Sequence, residues 1–150
     1  VSVSTFLRSV LASRGETLPA VNAFQENLSP LVASLGMPAA ILDRNLNEGF
    51  SGGEKKRSEI FQLVVLKPRL AVLDEFDSGL DVDGIRAAAS ALKNFMQPDR
   101  SLLVITHYGR IIEQIQPQRA HIMLDGRIVE SGGAELVCEV GLHGFERFKL

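Results

Sequence analysis

The chain has 150 residues, 45% of them hydrophobic, which is enough for a packed core in one modest domain or in parts of two subdomains. Its 16 basic and 18 acidic residues give a formal charge of −2, so the composition offers no basic surface for nucleic acid. One cysteine excludes an intrachain disulfide framework, and no apolar run approaches the roughly 20 residues of a membrane span.

The first third of the chain is predicted to be helical. Ser4 is expected to cap a first helix that stops at Gly15, because the apolar residues between them recur at helical spacing. A second helix is predicted over 21–28. Ser29-Pro30 has the form of a cap followed by a proline at the first helical position, so a separate short helix is expected to end near Gly36.

A glycine pair at the start of a longer helix is the first candidate for chemistry. Ser51-Gly52-Gly53 precedes an amphipathic stretch over 54–66 that Pro68 stops. A helix start leaves backbone N–H groups uncovered, and the helix macrodipole favours an anion such as a terminal phosphate there. Alone, Ser-Gly-Gly is more typical of an ordinary capped helix than of a phosphate-binding helix start. The neighbouring motifs favour the phosphate-binding interpretation instead.

The second half of the chain has the pattern of a β-α-β unit. Short apolar runs over 70–73 and 102–105 predict strands buried on both faces of a parallel sheet, with a helix over 82–96 between them. The pattern further predicts a short helix over 111–115, hairpin strands over 120–124 and 127–131 around Asp125-Gly126, and a helix over 134–140 in which Cys138 packs.

Two acids end the first predicted strand. Ligands of open parallel sheets gather at the carboxyl ends of strands, where Asp74 and Glu75 lie. Alternation along the strand predicts that the two side chains point to opposite sides, so that one can hold a magnesium shell while the other orients an attacking water. The alternative is an acid pair that caps a helix; the apolar run before it and Asp77-Ser78-Gly79-Leu80-Asp81 after it favour the catalytic interpretation.

Other polar residues carry less information. His107 ends the second predicted strand, just past Thr106, and is placed to reach a transferred phosphoryl group, although a lone strand-end histidine is more often structural. The cations Lys55, Lys56 and Arg57 are expected to form a solvated face, to contact a partner or to pair with acids, and we assign them no catalytic role.

Three segments together identify a resemblance. Asn47-Glu48-Gly49-Phe50-Ser51-Gly52-Gly53-Glu54-Lys55-Lys56-Arg57, Ile105-Thr106-His107-Tyr108 and Asp125-Gly126-Arg127-Ile128-Val129-Glu130-Ser131-Gly132-Gly133 occur in this order. The chain thereby resembles the ATP-binding cassette (ABC) ATPases, and within them the SufC group, which serves the Suf system of iron–sulfur cluster assembly. Transport ATPases more often have Leu-Ser-Gly-Gly-Gln at the first of these segments.

The resemblance implies a role for each motif residue. Ser51, Gly52, Gly53 and Glu54 are the signature segment, which contacts ATP held by the opposite protomer. Asp74 is the Walker B aspartate that associates with Mg²⁺, Glu75 the catalytic glutamate, His107 the switch histidine, and Asp81 the end of a loop that crosses the dimer interface. Phe76 departs from the pattern, since transporters usually have proline there.

The resemblance also implies a fold and a division of the chain. The expected fold class is α/β, a fragment of a P-loop NTPase. A helical subdomain over 1–67 precedes the second half of a mostly parallel nucleotide-binding core over 68–150, with flanking helices and a C-terminal hairpin. No Gly-x-x-x-x-Gly-Lys-Ser/Thr phosphate loop occurs in the 150 residues. We therefore expect a C-terminal fragment, of doubtful stability alone and inactive without the phosphate loop.

The function implied is ATP binding and hydrolysis, with Mg²⁺, coupled to iron–sulfur cluster assembly on a scaffold of SufB-like and SufD-like proteins. The protein is expected to form a transient head-to-tail homodimer on ATP and to work in the cytoplasm or a plastid stroma, without nucleic acid and without inserting into a membrane. The alternatives are the ATP-binding subunit of a membrane ABC transporter and a catalytically silent fragment.

Overall fold

The structure is a computed structural model that describes residues 1–106 and 109–148; for residues 109, 110 and 113 it describes the backbone alone. The chain forms two compact units, one over Val1–Ile105 and one that begins at Thr106. The first unit contains α1 (Val3–Ser13), α2 (Val21–Ser34), a 3-10 helix (Ala39–Leu42), α3 (Gly52–Leu66), β1 (Leu70–Asp74), α4 (Val82–Phe95) and β2 (Ser101–Ile105). The second contains α5 (Gly109–Ile115), β3 (Ala120–Leu124), β4 (Arg127–Gly132), α6 (Ala134–His143) and a 3-10 helix (Glu146–Phe148). The predicted division into 1–67 and 68–150 stays a prediction.

Helix α1 is capped by Ser2, so the prediction that Ser4 caps it is wrong. The Ser2 hydroxyl accepts a hydrogen bond from the Thr5 amide at 3.3 Å, while Ser4 is buried within the first turn. Both serines precede the same apolar run. The packing of Val3 and Leu7, which are fully buried, decides which serine is left outside the helix.

Helix α2 is continuous through Pro30, so the predicted break at Ser29-Pro30 is also wrong. The Ser29 hydroxyl donates to the Gln25 carbonyl at 3.0 Å instead of capping a new helix. Phe24 and Val32, eight residues apart on the same face, are both buried. Their packing keeps the helix intact despite the N–H that proline lacks.

The β-α-β unit is confirmed. Strands β1 and β2 pair in parallel, with Leu70 opposite Ser101 and Asp74 opposite Ile105, and α4 connects them. The buried face of α4 includes Leu92 and Phe95. Helix α3 packs against both α4 and α1, so the predicted long helix lies at the centre of the first unit. Among the described residues, no helix is long and apolar enough to cross a membrane.

The strands of this sheet are buried on one face only, which corrects the prediction of burial on both. Ala71 is buried, whereas Val72 is 55% exposed and its register partner Leu103 is 50% exposed. Leu70 and Ile105 are exposed as well. Because alternate residues of a strand share a face and partners in a parallel pair point the same way, these four side chains form one exposed apolar face.

The second unit confirms the predicted hairpin. Asp125 and Gly126 have φ of 47° and 75°, the left-handed pair that a type I′ turn requires between β3 and β4. A small core of Ile122, Leu136 and Phe148 joins the hairpin to α6 and the last 3-10 helix. Cys138 is exposed, so the prediction that it packs within an apolar helix is wrong.

Phe76 anchors the turn that follows β1, because its side chain is only 2% exposed. We predict that Phe76→Ala lowers the free energy of unfolding by about 3–5 kcal/mol, as for other buried phenylalanines that are truncated to alanine. Urea unfolding followed by circular dichroism measures this. The control is Val21→Ala, whose side chain is 52% exposed and whose loss should cost less than about 1 kcal/mol. Equal losses for the two variants would contradict the anchoring role.

Candidate functional site

The start of α3 is a reciprocal capping box. The Ser51 hydroxyl accepts a hydrogen bond from the Glu54 amide at 3.2 Å, and the Glu54 carboxylate accepts one from the Ser51 amide at 2.8 Å. These bonds satisfy two of the backbone donors that a helix start leaves without helical partners. The amides of Gly52 and Gly53 belong to the same first turn, in the position that favours an anionic ligand.

The two glycines of this turn have different surroundings. A β-carbon on Gly52 would meet no atom within 4 Å, so this side of the helix start is open to an approaching molecule. A β-carbon on Gly53 would lie 3.3 Å from the Gly79 carbonyl oxygen. Gly53 therefore lets the loop between β1 and α4 lie close against the start of α3.

Arg44 is a residue of this site that the sequence did not reveal. Its guanidinium donates to the Glu54 carboxylate at 3.0 Å and to the Gly49 carbonyl at 2.8 Å, and lies 4.7 Å from the centre of the Phe50 ring. It thereby touches three parts of the segment that leads into α3. No sequence signal marks it, because its partners lie five to ten residues away across an irregular connection.

Asp74 and Glu75 are both exposed at the carboxyl end of β1. Asp74 is the last residue of the strand, in register with Ile105, and so lies at the end of the exposed apolar face. Glu75 lies beyond the strand with a left-handed φ of 45°, although its amide still donates to the Ile105 carbonyl at 2.8 Å. Simple alternation, from which opposite orientations were predicted, therefore does not apply to Glu75.

A positive φ at a residue other than glycine is uncommon and costs conformational energy. At Glu75 it redirects the chain into the tight turn in which the Ser78 amide bonds to the Glu75 carbonyl at 3.2 Å. Glu75, which the sequence predicts to be catalytic, thus has a strained backbone conformation and lies between β1 and the buried Phe76.

Asp81 has two bonded partners. Its carboxylate caps α4 by accepting from the Gly84 amide at 2.7 Å, and it pairs with Arg57 at 2.8 Å. Arg57 also donates to the Gly36 carbonyl at 3.2 Å. The prediction of a fully solvated basic face is therefore wrong for Arg57, and the alternative of pairing with acids is confirmed. Whether Asp81 also contacts nucleotide stays a prediction.

Hydrogen bonding lowers the pKa of both carboxyl groups at these helix starts. The Ser51 amide, then the Ser51 hydroxyl and Arg44, hold the pKa of Glu54 below its ordinary value. The Gly84 amide, followed by Arg57, does the same to the pKa of Asp81. Both groups are accordingly ionised at neutral pH.

Asp74 is the residue that would hold the magnesium ion implied by the resemblance. Among the residues that the structure describes, no three His, Cys, Asp or Glu side chains are grouped to hold a metal by themselves. Mg²⁺ at nucleotide sites takes one or two carboxylates and completes its shell with phosphate oxygens and water. Asp74, one exposed carboxylate at a strand end, matches that requirement. His107, the predicted phosphate sensor, lies outside the described residues.

Curated relatives are similar over most of this chain. It is 42% identical over 144 residues to "Probable ATP-dependent transporter SufC" of Escherichia coli, which covers 95% of this chain and 58% of that protein. It is 40% identical over 152 residues to "Iron-sulfur cluster assembly protein SufC" of Plasmodium falciparum, with 99% and 44% covered. The chain thus spans about half the length of the curated relatives it matches. The sequence matches no family model.

A solved structure confirms the fold. The structure titled "Structure of ATP binding subunit of ABC transporter" superposes with a TM-score of 0.69 at 24% identity, covering 99% of this chain and 60% of that one. The predicted fold class, an α/β fragment of a P-loop NTPase, is therefore confirmed. The chain belongs to the ABC ATPases. Within that family, proteins named SufC are among its relatives, as the signature segment predicted.

The lowered pKa of Asp81 predicts how stability depends on pH. A depressed carboxyl pKa stabilises the folded state above the ordinary value, here 3.8, and this contribution is lost as pH falls through the lower native pKa. We expect Asp81→Asn to reduce the loss of stability below pH 3.8, because asparagine still caps α4 but does not titrate. Urea midpoints at a series of pH values measure this.

The matched control for that experiment is Asp83→Asn. Asp83 lies in the same first turn of α4 but is 90% exposed, 3.5 Å from Arg86. We expect Asp83→Asn to lose as much stability below pH 3.8 as the unchanged protein does. If both variants shift the pH profile equally, Asp81 has no special role in it.

Proposed function

We propose that this chain is part of an ATPase that couples ATP binding and hydrolysis to iron–sulfur cluster assembly. The observation that carries the proposal is the start of α3, which is open on the side of Gly52 and lies directly against the loop following the Asp74-Glu75 strand. The SufC relatives and the signature form Ser51-Gly52-Gly53-Glu54 support the assignment to cluster assembly.

In the proposed mechanism, two copies of the longer protein associate head to tail around ATP. The start of α3 contacts the terminal phosphate of ATP that is held by the phosphate loop of the other copy, through backbone amides and the Ser51 hydroxyl. Asp74 holds Mg²⁺, which offsets phosphate charge when bound, and Glu75 orients the attacking water. His107 contacts the transferred phosphoryl group.

We further propose that association and release of the two copies act on a scaffold of SufB-like and SufD-like proteins. Cluster ligation by this chain itself is not part of the proposal, because one cysteine does not supply the usual set of four thiolates. We propose that the protein acts in the cytoplasm or in a plastid stroma.

A second candidate function is the ATP-binding subunit of a membrane transporter, which several relatives' names favour. One example is the "Probable ABC transporter ATP-binding protein SpyM3_0208" of Streptococcus pyogenes, 40% identical over 147 residues. The chemistry would be the same and the partner different. Co-purification of the full-length protein under native conditions distinguishes them: SufB-like or SufD-like proteins support the first function, and a permease supports the second.

Glu75 is the residue whose replacement tests the proposed chemistry. We predict that Glu75→Gln in the full-length protein lowers ATP turnover by at least about 100-fold while ATP still binds, since the amide keeps the shape of the side chain but not its charge. Phosphate release and equilibrium ATP binding measure the two properties. Glu16→Gln, at an exposed position after α1, is the control. Turnover at the unchanged rate in Glu75→Gln would reject the role.

The 150-residue chain itself gives a further prediction. It contains no Gly-x-x-x-x-Gly-Lys-Ser/Thr segment, so the purified chain should bind ATP weakly or not at all. Isothermal titration with Mg²⁺-ATP measures this. Tight binding by these 150 residues alone would show that the nucleotide site is built differently from the one proposed.

A further inference from the structure

Arg44 lies at the beginning of the connection over 43–51 that leads into α3, and its backbone is fixed independently of its side chain. The Arg44 carbonyl accepts a hydrogen bond from the Val3 amide at 3.0 Å, and the Leu46 amide donates to the Val1 carbonyl at 3.0 Å. The start of the chain therefore holds the backbone of Arg44 in place. From that fixed point the guanidinium reaches Gly49, Phe50 and Glu54.

The contacts use the planar shape of the guanidinium. One terminal nitrogen donates to Glu54 and the other to the Gly49 carbonyl, while the plane lies over the Phe50 ring. Gly49 has a left-handed φ of 66°. A lysine would offer a single donor group and could not span both acceptors while stacking on the ring. One side chain thus contacts this segment at three points, and the Ser51–Glu54 capping box holds its end.

The charge of Arg44 also matters for an anionic ligand. Glu54 is in the first turn of α3, so its carboxylate lies beside the amides that are proposed to meet a phosphate. An ionised carboxylate there would repel a phosphate and would offset the attraction of the helix start. The Arg44 guanidinium, 3.0 Å from the Glu54 carboxylate, neutralises that charge without occupying the open side at Gly52.

We propose that Arg44 is a positioning residue for ATP binding: it fixes the Gly49–Glu54 segment and neutralises Glu54, so that the start of α3 can accept a phosphate. This inference rests on the proposed function for its ligand, and on the contacts above for its geometry. Arg44 acts through Glu54 and the backbone and touches no reacting atom.

The first test needs no ATPase activity. In the full-length protein, Arg44→Met should speed hydrogen exchange of the Ser51 amide by about tenfold, because the Glu54 carboxylate that accepts from it loses its second anchor. Exchange followed by NMR measures this. The matched control is Arg8→Met, because Arg8 also stacks on a ring, that of Phe24, and bonds a carbonyl, that of Pro19. Equal exchange of the Ser51 amide in both variants overturns the inference.

The second test uses the full-length protein. Arg44→Met should raise the ATP concentration for half-maximal hydrolysis by about tenfold, with the rate at saturating ATP within about twofold. Adding Glu54→Gln should recover most of this loss of apparent ATP affinity, because the neutral amide removes the repulsion between the carboxylate and the phosphate. A merely structural role of Arg44 predicts no recovery, and an unrecovered or larger loss in the double variant overturns the inference.

Two further outcomes distinguish a failure of the Arg44 inference from a failure of the proposed function. If Arg44→Met does not fold, Arg44→Lys replaces it and should give an intermediate increase, since lysine keeps the charge but loses the double contact. An ATP concentration for half-maximal hydrolysis that is unchanged in Arg44→Lys overturns the inference. If the unchanged full-length protein does not hydrolyse ATP, the proposed function fails, while the exchange result still decides whether Arg44 fixes the segment.

Discussion

The candidate site depends on one arginine that joins three segments of the chain. The Arg57 guanidinium, on α3, bonds the Asp81 carboxylate at the start of α4 and the Gly36 carbonyl after α2. A β-carbon on Gly84 would lie 3.0 Å from Arg57 and 2.7 Å from Asp81, so a larger residue there would displace these two side chains from their present positions. The packing of α3 against α4 brings the glycine turn of one helix beside the loop that carries Glu75.

Charge is arranged in the same way at the starts of both helices. Each has a carboxylate that caps the helix, Glu54 for α3 and Asp81 for α4, and each carboxylate is paired with an arginine, Arg44 or Arg57. The capping bonds satisfy backbone donors, and the arginines offset the negative charge that those bonds require. Partly exposed pairs of this kind add little to stability, so their value lies in the geometry and local charge that they maintain.

The local sequence pattern was sufficient to predict those features that depend on residues close together in the chain. The helix start at Ser51, the parallel strands that end in Asp74 and Ile105, and the hairpin at Asp125-Gly126 were predicted, because capping, apolar runs and left-handed turns are short-range signals. The family followed from the order and spacing of the same motifs. The candidate residues of the signature and Walker B segments were likewise recognisable from the sequence, although their roles remain predictions.

Only the tertiary structure decided features that depend on distant contacts. Burial of Val3 selected Ser2 over Ser4 as a cap, and packing carried α2 through Pro30. Because Glu75 has a left-handed backbone, its side chain does not follow the strand alternation from which its orientation was predicted. Arg44 and Arg57 gained their roles from partners five to 24 residues away. The sequence by itself determined most of the elements and the family, because these follow from local chemistry. How the side chains meet at the site required the fold, because those contacts join residues that no local pattern connects.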